Sequence, residues 1–521
     1  MARICLINPR FPTSFWGLNH GLPLLNKKAN MPVLALPVLA GLTPPGHEIV
    51  LIDENIEEID FEALEGFDIV GLTGMTVQRD RMREILTETR ARGIFTVVGG
   101  PWITVAENWY DGLVDVIFIG EAEETWPRFL EEWKQGLHQY RYEQAEKTDM
   151  AKVPIPRYDL VKFQEYTMGC VQTSRGCPFQ CEFCDIIVIF GRRPRIKTPE
   201  MVVAEIDAQH RLGVRVIFLV DDNFIGNKKV AKVILRAIIE WQHANGFPLS
   251  FFTEASLDLA EDEELMRLMT EAGMVAVFIG IESPDEEALK ETKKYQNVRG
   301  LGLLDRVGKV QAHGLEVYAG MIVGFDQDDE TVFERQYQFL KQAKVVGAMA
   351  GMLSAIPKTP LYDRLEAEGR LDNAAADDPN IATNVIPLKM SVETLRDGWL
   401  DLMIRLYDAE NYFERFDALF IEGKLPLATA KMDWLKKNRF GTYLKLQTLT
   451  ILAALGMLAK LWIDPRTKLD RAVYGKYLRK LIASRRPPRY LFQFAFKCVM
   501  HTHFATMTRQ MARGESRLVN T

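Results

Sequence analysis

The chain has 521 residues, 47% of them hydrophobic, and six cysteines. That is enough apolar material for two or three folded domains and too few cysteines for a disulfide framework, so a reducing compartment is expected. The net charge of -6 is uneven: residues 431–521 hold 19 Lys and Arg against four acidic residues, a net of +15, which leaves -21 for residues 1–430.

Residues 1–8 run straight into a strand pattern rather than the apolar core of a signal peptide, so folding is expected from residue 2, in the cytoplasm. Apolar runs at 3–8, 48–52, 69–73, 96–98 and 114–119 alternate with helical stretches such as 76–92. This predicts an open parallel sheet of about five strands, doubly wound, over a first domain of residues 1–150. Ligands of such sheets bind beyond the carboxyl ends of the strands, which here carry Asn8, Asp53, Leu72-Thr73-Gly74, Gly99-Gly100-Pro101 and Gly120-Glu121. Glycine pairs there let the backbone approach a large ligand, although Gly99-Gly100 alone would read as an ordinary tight turn. Residues 149–166 carry two prolines and no periodicity, so 151–166 is read as a linker.

A second domain, 167–360, opens on Ser174-Arg-Gly-Cys177-Pro-Phe-Gln-Cys181-Glu-Phe-Cys184. The spacing C-x3-C-x2-C can turn three thiolates toward one metal centre. A structural zinc site wants four closed ligands, and neither Cys170, seven residues upstream, nor His210 completes a zinc pattern. A four-iron cube held by three cysteines instead keeps one iron open for a chelating ligand. Apolar runs at 214–220, 249–254, 275–281, 315–323 and 349–356, with 171–174, make six strand-and-helix units, a partial parallel barrel whose site lies at the strand C-termini. Polar residues fall at those ends: Asp221-Asp222-Asn223, Glu254, Glu282-Ser283 and Gly324-Phe325-Asp326. Taken singly, Ser283 or Asp326 reads as a cap or a turn. The basic loop Gly191-Arg192-Arg193-Pro194-Arg195 either holds a carboxylate or propionamide or is simply solvated.

From Pro360 the strand pattern stops, and helical periodicity over 392–415 and 431–445 predicts a basic, mainly helical C-terminal domain, 361–521. Residues 446–463 are apolar at Leu446, Leu449, Leu452, Leu455, Leu458 and Trp462, but the 14 residues between Lys445 and Lys460 are too few to span a bilayer, which takes about 20. Two readings stay open for this segment. It is a core helix, or it lies on a membrane surface beside the cations and aromatics of residues 471–496. The basic tail likewise faces anionic lipid or docks on the acidic body. No recognisable nucleic-acid module accompanies it, so no nucleic-acid partner is expected.

The cysteine loop resembles the iron-sulfur motif of the radical S-adenosylmethionine (SAM) enzymes. The loops ending the first sheet resemble the cobalamin-binding domain that precedes the radical SAM core in a large subfamily. Phe15-Trp16-Gly17, Gly74-Met75-Thr76-Val77-Gln78-Arg79, Val220-Asp221-Asp222-Asn223-Phe224-Ile225-Gly226-Asn227 and Pro357-Lys358-Thr359-Pro360-Leu361 are similar to the hopanoid C-2 methylase group. The fold so implied is α/β, with an N-terminal doubly wound cobalamin-binding domain, a partial (β/α)6 radical SAM barrel and a mainly helical C-terminal domain. The resemblance implies a [4Fe-4S] cluster on Cys177, Cys181 and Cys184, with SAM chelating the open iron. It places Phe183 near the adenine, Asp221, Asp222 and Asn223 at the SAM amino group, Glu282 and Ser283 at the ribose, and Glu254 and Gly324 in the same series. Cobalamin would be held by Asn8, Thr73, Gly74, Gly99, Gly100, Pro101, Gly120 and Glu121. Cobalamin domains that ligate cobalt through histidine carry Asp-x-His-x-x-Gly after the first strand, whereas this chain reads Asn8-Pro9-Arg10-Phe11-Pro12-Thr13, so no protein histidine is expected on cobalt.

The activity implied is methylation of an unactivated carbon, in a small molecule or a lipid such as a hopanoid. One SAM yields a 5′-deoxyadenosyl radical that removes hydrogen, and another supplies the methyl group by way of cobalamin. An electron donor such as flavodoxin or ferredoxin is implied, with peripheral contact at the inner membrane face. Beyond the cofactors no catalytic side chain is expected. The alternative is cyclisation or another redox rearrangement with the same cofactors.

Overall fold

The computed structural model describes residues 1–372 and 383–515. Six parallel strands, β1 (Arg3–Asn8), β2 (Glu48–Asp53), β3 (Ile69–Thr73), β4 (Thr96–Gly99), β5 (Val116–Ile119) and β6 (Arg141–Glu143), form a first sheet in the order β2-β1-β3-β4-β5-β6. Alternation along the strands decides its two faces. Cys5, Ile7, Val70, Leu72, Val98 and Ile117 pack on Met82, Ile85 and Leu86 of the helix Arg79–Ala91. Ile4, Leu6, Ile69, Val97, Val116 and Phe118 pack on Leu36, Trp126 and Phe129 on the other side. The sheet is therefore doubly wound as expected, with a sixth strand added. β6 escapes notice in the sequence because its three residues, Arg-Tyr-Glu, bury only Tyr142. Between β1 and β3 the chain order reverses, which opens a crevice beyond the carboxyl ends of the strands.

Residues 150–165 contain only short 3-10 turns. Beyond them β7 (Gly169–Val171) begins a second sheet, while β8 (Ser174–Arg175) and β9 (Arg195–Ile196) pair antiparallel as a separate ribbon. The expected strand over 171–174 thus ends earlier, at Val171. The N–H groups of Thr173 and Ser174 are taken by the Asp221 carboxylate at 2.6 and 2.9 Å, which pulls the chain out of the sheet. The second sheet continues with β10 (Val216–Leu219), β11 (Ser250–Glu254), β12 (Met274–Glu282), β13 (Glu316–Val323) and β14 (Ala348–Met352), all parallel and in sequential order. Helices Pro199–Arg211, Lys228–Ala244, Glu263–Ala272, Leu303–Ala312 and Val332–Gln342 return the chain between strands. β7 and β14 are the two ends of the curved sheet, so the barrel is open, with its six strands as expected.

The C-terminal region is helical. Its longest helix, Pro488–Ala512, is buried on nearly all sides. Phe504 stacks on Phe15 at 4.8 Å and His503 Nε2 meets the Ser14 carbonyl at 2.9 Å, so residues 11–26 are wedged between this helix and the barrel. The apolar segment read as residues 446–463 belongs to a longer helix, Phe440–Ile463. At 24 residues it is long and apolar enough to cross a membrane by length and composition, so the shorter estimate taken between two lysines does not hold. Nor is it a core helix, since only Ala454, Met457 and Leu461 are buried while Leu449, Leu452, Leu455 and Trp462 stay about half exposed. Tail cations Lys476, Lys480 and Lys497 pair with Glu410, Asp417 and Glu316 of the body, so part of the basic surplus docks internally.

Candidate active site

The β8–β9 ribbon closes the neck of the cysteine loop. At that neck Gly176 has φ +93°, and a Cβ there would lie 2.8 Å from the Gly191 carbonyl oxygen, so only glycine lets the two legs touch. Glu182, between two of the cysteines, ties the loop to the barrel by ion pairs with Lys293 at 2.7 Å and Arg364 at 3.3 Å. No three His, Cys, Asp or Glu side chains among the described residues converge tightly enough for a single ion. A four-iron cube is wider than an ion, and the three thiols sit around one end of the barrel: Cys177 Sγ lies 3.9 Å from Asn223 Nδ2 and Cys181 Sγ 3.5 Å from Gln296 Nε2. Burial pushes the Cys177 and Cys184 thiols up, a charge cost that iron ligation would offset.

Around them stand groups with distinct partners. Asp221 is fully committed to Thr173 and Ser174 and serves as a brace for the loop. Asp222 accepts from Gly176 N–H at 2.6 Å; burial, with Asp221 beside it, pushes its carboxyl up to about 7. Glu254, at the end of β11, has no hydrogen-bonding side-chain partner among the described residues, and burial followed by Asp222 and Asp221 raises it to about 8. Two buried carboxyls without an ion-pair partner among the described residues suit a ligand bearing positive charge, as the SAM ammonium and sulfonium do. Asn223 is held by Ser256 at 3.0 Å. Ser283 Oγ accepts from Asp285 N–H at 3.1 Å and Gly324, at φ +102°, gives its N–H to Asp328, so both shape turns.

Lys294 carries no sequence signal, lying 110 residues beyond Cys184. Its ammonium meets Glu282 at 2.5 Å and lies 5.8 Å over the Phe183 ring, which also packs on Phe325. Burial alone would lower Lys294, but Glu282 and the sulfurs of Cys181 and Cys184 raise it above its usual range. A fixed cation beside these two sulfurs would offset part of their charge as thiolates, and it also fixes the Glu282 side chain.

At the first sheet, Gly100 has φ +100° and a Cβ there would clash with Thr73 Oγ1 at 2.5 Å, while Trp102 N–H donates to Gly74 O at 3.2 Å. The Thr73-Gly74 and Gly99-Gly100-Pro101 turns therefore form one edge, and Gly120, at φ +73° with open space beside it, forms the next. This glycine-lined crevice fits a bulky ligand that contacts backbone. Asn8 and Glu121 spend their side chains elsewhere. Asn8 bonds Asp53 at 3.0 Å and Gln78 at 2.9 Å, and Glu121 pairs with Arg175 and Arg195 of the ribbon, each at 2.8 Å. Arg195 of the basic loop is thus neither solvated nor free.

The same architecture appears among known proteins. Residues 24–130 match the B12 binding domain, 171–335 the radical SAM superfamily, and 359–517 a domain of unknown function. The chain is similar in fold to the cobalamin-dependent S-adenosylmethionine radical enzyme OxsB, with a TM-score of 0.61 at 15% identity over all of this chain and 82% of that one. An uncharacterized methyltransferase of Synechocystis sp. is 40% identical over 81% of this chain and 79% of its own. The hopanoid C-2 methylase of Rhodopseudomonas palustris is 35% identical over 80% of this chain and 79% of its own. The chain belongs to the cobalamin-dependent radical SAM methyltransferases.

For a methyltransferase of this family the Glu121 contacts matter. Arg175, one residue before Gly176, also reaches Glu123 at 2.6 Å, so the end of β5 is clamped to the cluster loop by nearly buried ion pairs. The end of β5 and the neck of the cysteine loop are thereby held at a fixed separation. Bound cobalamin would supply a methyl carrier, and the chain supplies the clamp between the end of β5 and the cysteine loop. Of the three histidines in residues 1–150, His47 and His138 sit at the amino ends of β2 and β4, away from that crevice, and His20 faces His503 of the helix Pro488–Ala512. Electron paramagnetic resonance of the cob(II)alamin form is expected to show no nitrogen superhyperfine splitting from a histidine; such splitting would contradict the assignment.

Proposed function

We propose that this radical SAM methyltransferase methylates an unactivated carbon of an apolar polycyclic lipid of the hopanoid class, taken from a membrane surface. The observation that carries this reading is the aromatic lining of the barrel. Phe218 pairs in register with Phe252, and their rings lie 4.9 Å apart. Phe252 and Tyr318, on strands separated by β12, meet at 5.8 Å, a contact available only across the concave face. Trp16 closes the lower end against Phe278 at 4.9 Å. Above these rings Gly280 pairs with Gly320; the Glu282 carboxylate and Lys294 ammonium fill the space beside Gly280, and the Phe278 ring covers Gly320. The rings make this face of the barrel apolar, with the carboxyls of Glu254 and Glu282 at its far end. A charged soluble substrate would be desolvated there with little return; a ring system with few polar groups would not.

In this reading Cys177, Cys181 and Cys184 hold the cluster, Phe183, Asp222, Asn223, Glu254 and Glu282 surround SAM, and the Thr73-Gly74, Gly99-Gly100-Pro101 and Gly120 turns hold cobalamin. Ser283, Gly324 and Asp221 act by shaping loops. Reducing equivalents come from a flavodoxin- or ferredoxin-type donor. The half-exposed Leu449, Leu452, Leu455 and Trp462 of the helix Phe440–Ile463 support the membrane contact. Covering what remains wet on four such side chains is worth about 3–6 kcal/mol. The relative named hopanoid C-2 methylase supports the substrate class.

Anaerobic incubation of the reduced enzyme with SAM and a hopanoid is expected to give methylated hopanoid together with S-adenosylhomocysteine and 5′-deoxyadenosine. Deoxyadenosine with a modified substrate but no S-adenosylhomocysteine would replace methylation by cyclisation or another redox change.

A further inference from the structure

We propose that a cavity at the base of the barrel is a binding site for the phosphate headgroup of an anionic phospholipid, an inference that rests on the membrane-surface reading above. The cavity has a volume of about 340 Å³ and is lined by Arg215 before β10, Phe247 and Pro248 before β11, and Lys431, Arg439 and Leu446 of the C-terminal helices. It lies at the amino ends of the strands, the opposite end from the cysteine loop, and so is separate from the candidate active site.

Three cations converge here without an acid. Lys431 Nζ donates to the Leu249 carbonyl at 3.2 Å and lies 5.7 Å over the Phe247 ring. Arg215 donates to Val214 O at 2.8 Å and faces His210 Nδ1 at 3.2 Å. The Arg439 guanidinium lies flat on Gly246, whose φ of +81° and missing Cβ make the space; a Cβ there would be 3.1–3.4 Å from it. The lining contains no Asp or Glu, and none of the three cations has a carboxylate partner among the described residues. Elsewhere in the tail Lys476, Lys480 and Arg509 each have one. Like charges gathered around one cavity repel, and burial followed by Arg215 pushes Lys431 down to about 8. An anion in the cavity removes that repulsion and meets guanidinium donors whose geometry suits phosphate oxygens.

The surroundings favour a lipid over a free anion. Phe247, Pro248 and Leu446 give the cavity an apolar wall. Arg439 immediately precedes the helix Phe440–Ile463, and Leu449 and Leu452, at successive steps of three residues, continue an exposed apolar surface along it from Leu446. A phosphate held by the three cations would leave acyl chains to follow that surface into a membrane.

The full-length protein tests this with two pairs of substitutions at exposed positions: Arg215→Gln with Arg439→Gln, and Leu452→Glu with Leu455→Glu. Wild-type protein is expected to co-sediment with phosphatidylcholine vesicles containing phosphatidylglycerol and to bind soluble dihexanoyl phosphatidylglycerol in calorimetry. The arginine pair is expected to weaken both about thirtyfold, from about 1 kcal/mol per cation. The leucine pair should lose the vesicles and keep the short-chain lipid. An arginine variant that binds dihexanoyl phosphatidylglycerol as tightly as wild type overturns the site while leaving the membrane reading standing. Inorganic phosphate binding as tightly as the short-chain lipid, with the same loss in the arginine pair, makes a free anion the ligand and overturns the lipid assignment. Wild-type protein that ignores every vesicle overturns the membrane reading itself.

Discussion

Combined Cys177→Ala, Cys181→Ala and Cys184→Ala substitution is expected to bring iron content to background and to abolish 5′-deoxyadenosine formation, while the chain stays folded. Each thiol is one of only three that the loop offers, and the remaining cysteines cannot substitute. Cys170 is buried in β7 with its thiol pushed up to about 12, Cys5 is buried in β1, and Cys498 lies inside the helix Pro488–Ala512. All three are structural thiols shut away from the loop. The barrel core does not depend on the loop, because the helix-facing side chains Ile217, Leu219, Phe251, Val277 and Ile279 belong to a buried cluster to which the cysteine loop contributes no side chain. Iron, sulfide and spectroscopic measurements on anaerobically purified protein check the result. Retention of a redox-active four-iron cluster in the triple variant would remove the cluster assignment altogether.

A large loss of stability is expected from Lys497→Met. The Lys497 ammonium is completely buried against the Glu316 carboxylate, donates to Tyr318 OH at 2.6 Å, and joins the helix Pro488–Ala512 to the first residue of β13. Gln493 Nε2 satisfies the other Glu316 oxygen at 2.9 Å. Burial pushes the Glu316 carboxyl above its usual range and the Lys497 amine below its own, and each partner pulls the other back toward charge. Removing only the lysine strands a buried carboxylate, at about 3–5 kcal/mol. For a chain built of several cooperative parts this is read best as an apparent melting temperature, lowered on the order of 10 °C. Lys497→Met combined with Glu316→Leu removes both charges and is expected to recover most of the loss. A single variant within 2 °C of wild type would mean that the pair contributes nothing to docking the C-terminal helix.

The sequence by itself determined the parts whose information is local. Near-continuous apolar runs such as Arg3–Asn8 and Ile69–Thr73 specify strands, because each side chain of a parallel sheet covered on both faces must find apolar cover on its own side. The cysteine triplet lies within eight residues, so its chemistry is legible from spacing alone. β6 was not legible, since three residues of which one is buried carry no period. The tertiary structure decided the contacts between distant residues. Asp221 in the sequence belongs to a polar cluster, but its position next to Thr173 and Ser174, 48 and 47 residues earlier, makes it a brace. Glu121 ends a strand of the first sheet, yet docking of the cysteine loop commits it to Arg175 and Arg195. Lys294 gains its place beside Cys181 and Phe183, and Arg215, Lys431 and Arg439 their common cavity, only when separate helices and strands pack. Local pattern sets which face of an element is buried; the partner of a charge depends on how whole elements dock, and no window of sequence contains that.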